Sequence, residues 1–143
     1  MTPLSPSDQL VASSNAMTHL HHAASVHEFK SVGEECHSRM PKFFGYFYGN
    51  EDPVTNRSWC PDCVIAEPVV KEAFKHAPEG TQVIRTAVGT RDDWKNPENE
   101  WRKELKLKCI PTLIKFIDGK EIDRLEDLDC ASPEKLSEFF QDC

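Results

Sequence analysis

The hydrophobic positions of this chain change period several times along its length, and each change marks an element. In "SVHEFKSVGEECH" the apolar residues Val26, Phe29, Val32 and Cys36 recur at spacings of three and four, which predicts one face of a helix. The run "FFGYFY", Phe43 to Tyr48, is instead continuously apolar and of strand length, as a strand covered on both faces requires. "GNEDPVTNRS", Gly49 to Ser58, collects turn formers and reads as a loop. A helix is expected from the pair Cys60 and Cys63 to about His76, because Ile65, Val69 and Ala73 repeat every four residues and Gly80 supplies a break. Pro68 inside it removes one backbone donor and clashes with the Val64 carbonyl, which predicts a kink.

"TQVIRTAV", Thr81 to Val88, reads as a strand, and "NPENEWRKEL" as a helix capped by Asn96 with Pro97 in its first turn. "TLIKFIDGKEIDRLE" contains two strand-like runs joined by Asp118-Gly119, a dipeptide suited to a tight hairpin. In "SPEKLSEFF", Ser132 caps a closing helix that turns Leu136, Phe139 and Phe140 inward. With a short strand near Thr18 to His21, the alternation predicts an α/β fold whose parallel strands are joined by a C-terminal antiparallel hairpin in one mixed sheet flanked by helices.

The length of 143 residues fits one domain, expected over residues 16–143, with residues 1–15 a disordered tail. The net charge of -7 and the lack of any Lys/Arg cluster argue against nucleic acid or an anionic membrane as partner. The N-terminal residues carry neither a secretory signal nor a transit pattern, and no apolar run approaches the roughly 20 residues of a membrane span. A cytoplasmic location is the expectation.

Cys36, Cys60, Cys63, Cys109, Cys130 and Cys143 could form three disulfides in a secreted chain, but the missing signal favours free thiols. Cys36 and Cys130 suit burial as small apolar groups, and Cys143 suits an exposed terminal thiol. For Cys60 and Cys63, separated by Pro61 and Asp62, three roles compete. Structural zinc needs about four ligands, and the chain offers one short pair; adjacent His21 and His22 would face opposite ways on a strand. A structural bridge closing so short a loop removes little chain entropy. A redox dithiol has physical support: at the first turn of a helix after a central strand, backbone N–H groups and the helix dipole stabilise the Cys60 thiolate, and Cys63 lies over the same face.

"WCPDCVIAEPVV" resembles the active-site segment of the fourteen-kilodalton thioredoxin-related proteins, the thioredoxin domain-containing protein 17 family of the thioredoxin superfamily. "FFGYFYG", "DDWKNPENEWRKEL" and "IPTLIKF" follow in that family's order, so the likeness covers about Ser25 to Phe116. It implies a single thioredoxin-like domain with Cys60 as nucleophile and Cys63 as resolving thiol. Trp59 would shield the site, Pro111 would be the cis-proline against the dithiol, and the backbone of Ile110 would pair with an extended substrate. The resemblance further implies a cytosolic reductase of cystine and selected protein disulfides, recharged by thioredoxin reductase with NADPH. A monomer without metal or tightly bound cofactor is expected, since the electrons reside in two sulfurs.

Departures from ordinary thioredoxins set further expectations. Tyr46 stands where they place a buried Asp, and a phenol is a poor base at neutral pH. Glu67, four residues after Cys63, is the candidate proton acceptor, against a plain solvated role. Asp62 would cap the helix, repel the Cys60 thiolate and favour substrates with a basic group near the disulfide. Cys109, two residues before Pro111, is a candidate for regulatory oxidation, against an idle thiol. The rival from another class is a non-catalytic binding module on the same fold with idle or zinc-bound cysteines.

Overall fold

The computed structural model describes residues 18–141. The expected tail and Cys143 lie outside them. The first strand, β1 (Thr18–His22), leads to helix α1 (Val26–Arg39) and strand β2 (Lys42–Tyr48). Helix α2 (Pro61–Lys75) and strand β3 (Thr81–Ala87) follow the loop, then two short helices, α3 (Arg91–Lys95) and α4 (Glu100–Glu104). Strands β4 (Thr112–Ile117) and β5 (Lys120–Glu126), a 3-10 turn at Asp127–Ala131 and helix α5 (Pro133–Gln141) complete the order.

The five strands form one mixed sheet in the order β1-β3-β2-β4-β5. Strand β3 pairs parallel with β1 and β2, whereas β4 pairs antiparallel with β2 and β5. The expected hairpin turns at Asp118 (φ 54°) and Gly119 (φ 81°), whose backbone angles suit the short connection. Strand β5 closes the edge with exposed and half-buried residues and a register shift against Lys115/Phe116, features that discourage further strand pairing.

Because β2 is covered on both faces, its alternate side chains serve two cores. Phe43 and Phe47 join Phe29, Trp101 and Ile114 on one side; Phe44 and Tyr46 join Val70, Phe74, Leu136 and Phe140 on the other. Helix α1 buries Val26, Phe29, Gly33 and Cys36, with Val32 half-buried at the margin. Ser25 caps it by accepting from the Glu28 N–H at 3.1 Å.

One expectation needs correction. The helix read from Asn96 is the second of two short helices, Glu100–Glu104, and the first, Arg91–Lys95, lies before Asn96. Thr90 caps the first through a reciprocal bond with Asp93, and Asn96 ends it by donating its N–H to Asp92 and Asp93. Asn99, not Asn96, caps the second by accepting from the Trp101 and Arg102 N–H groups, and Pro97 falls between them. The inward face of α2 is Cys63, Ala66, Val70 and Phe74; Val69 and Ala73 flank it, while Ile65 is 55% exposed. The apolar repeat from Ile65 reported the helix, and the covered face lies to one side of that row. The helix itself runs on through Pro68. Among the described residues, no helix is long and apolar enough to cross a membrane.

Candidate active site

Strand β2 delivers the chain to the end of the sheet, and after the eleven residues Gly49 to Trp59, Cys60 begins α2 as its N-cap. Its sulfur performs the capping usually done by a hydroxyl or carboxylate oxygen, accepting the Cys63 N–H at 3.3 Å. Pro61 follows in the first turn, where a missing donor costs nothing. The Cys60 pKa is lowered to about 7, chiefly by a hydrogen bond with the Cys63 thiol and further by the N–H groups of Cys63 and Asp62, against burial and the Asp62 charge. The Cys63 thiol is pushed far up by its bond to Cys60 and by burial. One sulfur is therefore poised as thiolate and the other held as thiol.

Ser58, which sequence reading left as a loop residue, braces this pair. Its hydroxyl accepts the Cys60 N–H at 3.2 Å, donates to the Gly49 carbonyl at 2.8 Å and, with the Gly49 N–H, favours ionisation of Cys63. Trp59 is fixed by donating Nε1–H to the Gly89 carbonyl at 2.8 Å. Its ring packs so closely on Gly49 that a Cβ there would lie 2.7 Å from Cε2, a distance no methyl group tolerates. The loop before it forms a bridge between Glu51 and Ser58, with Asp52 accepting from the Val54 N–H at 2.7 Å.

Fifty residues away in sequence, the Ile110-Pro111 bond is cis and brings the Ile110 carbonyl 3.7 Å from the Cys60 sulfur. Ile110 and Pro111 are buried there. Cys109 is half-buried, its pKa raised by burial and then by the Glu126 charge. Cys130 is fully buried, with its sulfur 3.8 Å from the Pro111 carbonyl, and burial pushes its pKa to about 12. Cys36 is likewise a buried thiol.

The charged residues form two groups. Asp62 hydrogen bonds with Asp127 of the 3-10 turn, and this bond raises the Asp127 pKa. Asp127 has φ 59° and was invisible to sequence reading, since nothing local links it to the helix start. Glu67 accepts from Arg85 Nη2 at 3.1 and 3.3 Å and pairs with Lys71 at 3.2 Å. Glu67 and Cys63 line the same cavity of about 290 Å³ beneath the loop, together with Tyr48, Glu51 and Ser58. Tyr46 is fully buried, and its hydroxyl lacks a hydrogen-bond partner among the described residues. Burial, reinforced by nearby Cys130 and Cys63, raises its pKa, so it cannot accept a proton as a phenolate at neutral pH. Among the described residues, no third His, Cys, Asp or Glu joins Cys60 and Cys63 in a group that could hold a metal ion.

Comparison with solved structures gives thioredoxins. Fasciola hepatica thioredoxin aligns over 84% of this chain and 95% of its own with a TM-score of 0.59 at 21% identity. A poplar thioredoxin h gives 0.61 at 16% identity over 84% and 91%. These similarities establish the fold. Among curated sequences, human thioredoxin domain-containing protein 17 is 51% identical over 73 residues, 51% of this chain and 58% of that protein. The Arabidopsis thaliana thioredoxin-like protein Clot is 42% identical over 93 residues, 63% of this chain and 69% of its own. The match thus spans well under two thirds of the human relative's length. The thioredoxin domain of the family described as thioredoxin domain-containing protein 17-like matches residues 22–142, taking in strands β2 to β5 and the cysteine pair. With that span and the capped cysteine pair at the end of β2, this chain belongs to the thioredoxin domain-containing protein 17-like family of the thioredoxin superfamily.

Proposed function

We propose that this protein is a thiol-disulfide oxidoreductase that reduces cystine and selected protein disulfides through Cys60 and Cys63. The observation that carries this reading is the asymmetry of the two sulfurs: Cys60 accepts two helical N–H groups and is lowered to about 7, whereas Cys63 is buried and held as thiol. The Cys60 thiolate attacks one substrate sulfur, forms a mixed disulfide and expels the other half as a thiolate. Cys63 then loses its proton and attacks Cys60, which breaks the mixed disulfide, releases the remaining substrate half as a thiolate and closes the Cys60–Cys63 disulfide, so two electrons have passed to the substrate. Thioredoxin reductase, drawing on NADPH, returns the protein to the dithiol.

The chemistry requires no metal or tightly bound cofactor. Trp59 and the Ile110 backbone flank the attacked bond, Pro61 and Asp62 shape the helix start, and Glu67 takes up the Cys63 proton through the shared cavity. Support for Glu67 is the cavity it shares with Cys63, in which its carboxylate is positioned by ion pairs with Arg85 and Lys71. Burial and the charges of Glu126 and Asp127 keep Cys109 a thiol, so the cycle does not use it. The protein acts as a cytoplasmic monomer, with a reduction potential in the thioredoxin to glutaredoxin range, about -270 to -200 mV.

The test is NADPH oxidation with thioredoxin reductase and cystine, run with the native protein and with Cys60→Ser. Turnover that disappears in the variant supports the cycle. Absence of turnover in a folded, reduced native protein rejects it in favour of a binding module.

A further inference from the structure

Two cations beside the site are committed to one carboxylate: Arg85 pairs with Glu67 at 3.1 Å and Lys71 with Glu67 at 3.2 Å. Arg91 differs. Its side chain is exposed, and among the described residues it forms no ion pair with any Asp or Glu. Its guanidinium lies 5.2 Å from the centre of the Trp59 ring, and Nη2 reaches the Trp59 carbonyl at 3.5 Å. That carbonyl belongs to the peptide bond joining Trp59 to Cys60, so the charge is held next to the nucleophile. Both supports are rigid: Trp59 is tied to Gly89, and Arg91 opens α3 directly after the Thr90 cap.

A stacked guanidinium retains free N–H groups in its plane and prefers a planar, bidentate anion. Asp62, whose charge acts on Cys60, and its partner Asp127 supply the opposite sign. We propose that Arg91 is a substrate-positioning residue that receives a carboxylate borne on the second carbon from the attacked sulfur, so that the site selects free amino-acid disulfides over peptide disulfides. In a peptide, and in glutathione disulfide, the same carbon carries an uncharged amide and gives Arg91 nothing to pair with. This inference rests on the proposed reductase function.

The test uses cystine and cystamine, which share the disulfide and both amines but differ in the carboxylates. The full-length protein is reduced, freed of reductant and mixed with each disulfide at about 0.15 M ionic strength, where charges more than roughly 8 Å apart are largely screened. Loss of protein thiols gives each second-order rate without any reductase. Arg91→Gln should slow oxidation by cystine about fivefold, the scale of an exposed ion pair, and change the cystamine rate less than about twofold. Arg91→Lys, which keeps the charge without the fork, should fall between. Circular dichroism confirms that both variants fold, and the Lys variant serves if Gln does not. Equal slowing with both disulfides, or none with either, overturns the role of Arg91 and leaves the dithiol reading intact. A native protein oxidised by neither disulfide overturns the reductase reading and the Arg91 role together.

Discussion

The Cys63 N–H donates to the Cys60 sulfur at 3.3 Å, so Cys63 itself caps that sulfur and favours its thiolate. A hydrogen bond from the Cys63 thiol adds to this and leads the lowering of the Cys60 pKa to about 7. Alkylation of the reduced protein by iodoacetamide should therefore rise with pH through a midpoint near that value, below the ordinary thiol midpoint. Peptide mass mapping should place the first label on Cys60. A midpoint near the ordinary thiol pKa, about 8.5, or first labelling at Cys63, would contradict this assignment.

Asp62 opposes that ionisation through its charge. Asp62→Asn should move the alkylation midpoint downward and lower the ratio of cystine to glutathione-disulfide turnover by roughly two- to fivefold at low salt. An unchanged ratio would remove charge from substrate selection.

Glu67 holds Arg85 and Lys71 while sharing a cavity with Cys63. In rapid-mixing experiments, Glu67→Gln should slow release of the mixed disulfide and leave the initial attack by Cys60 at its native rate. It should also cost about 1 to 2 kcal/mol in urea unfolding through the lost ion pairs. Equal slowing of both steps, or of neither, would remove Glu67 from proton transfer and leave it a structural residue.

Gly49 presses on the Trp59 ring, where an added Cβ would meet Cε2 at 2.7 Å. Gly49→Ala should destabilise the fold by about 1 to 3 kcal/mol and shift the tryptophan emission, because the ring must move. A native-like unfolding midpoint and spectrum would show that Trp59 is not held there.

Much of this was legible locally. The period of three to four in α1, the aromatic run of β2 and the Asp118-Gly119 turn each express geometry within a few residues of the signal. The placement of Cys60 and Cys63 at a helix start was legible too, because it depends on neighbouring residues alone. Other features depend on contacts between distant segments. Asp127 reaches Asp62 only after β4 and β5 have returned the chain to α2, and the Arg85 pairing of Glu67 requires β3 beside β2. The split near Asn96 was missed for a subtler reason: Thr90 and Asp93 form a competing cap upstream, leaving Pro97 between two helices. At Ile65 a correct period carried no information about which face the sheet would cover.

The central claim concerns the order in which the two sulfurs act, and trapping the intermediate tests it most directly. Cys63→Ser, reduced and mixed with cystine, should accumulate a stable mixed disulfide that mass spectrometry locates on Cys60, since no second thiol can release it. An adduct on another cysteine, or no adduct on a folded and reduced variant, would contradict the account.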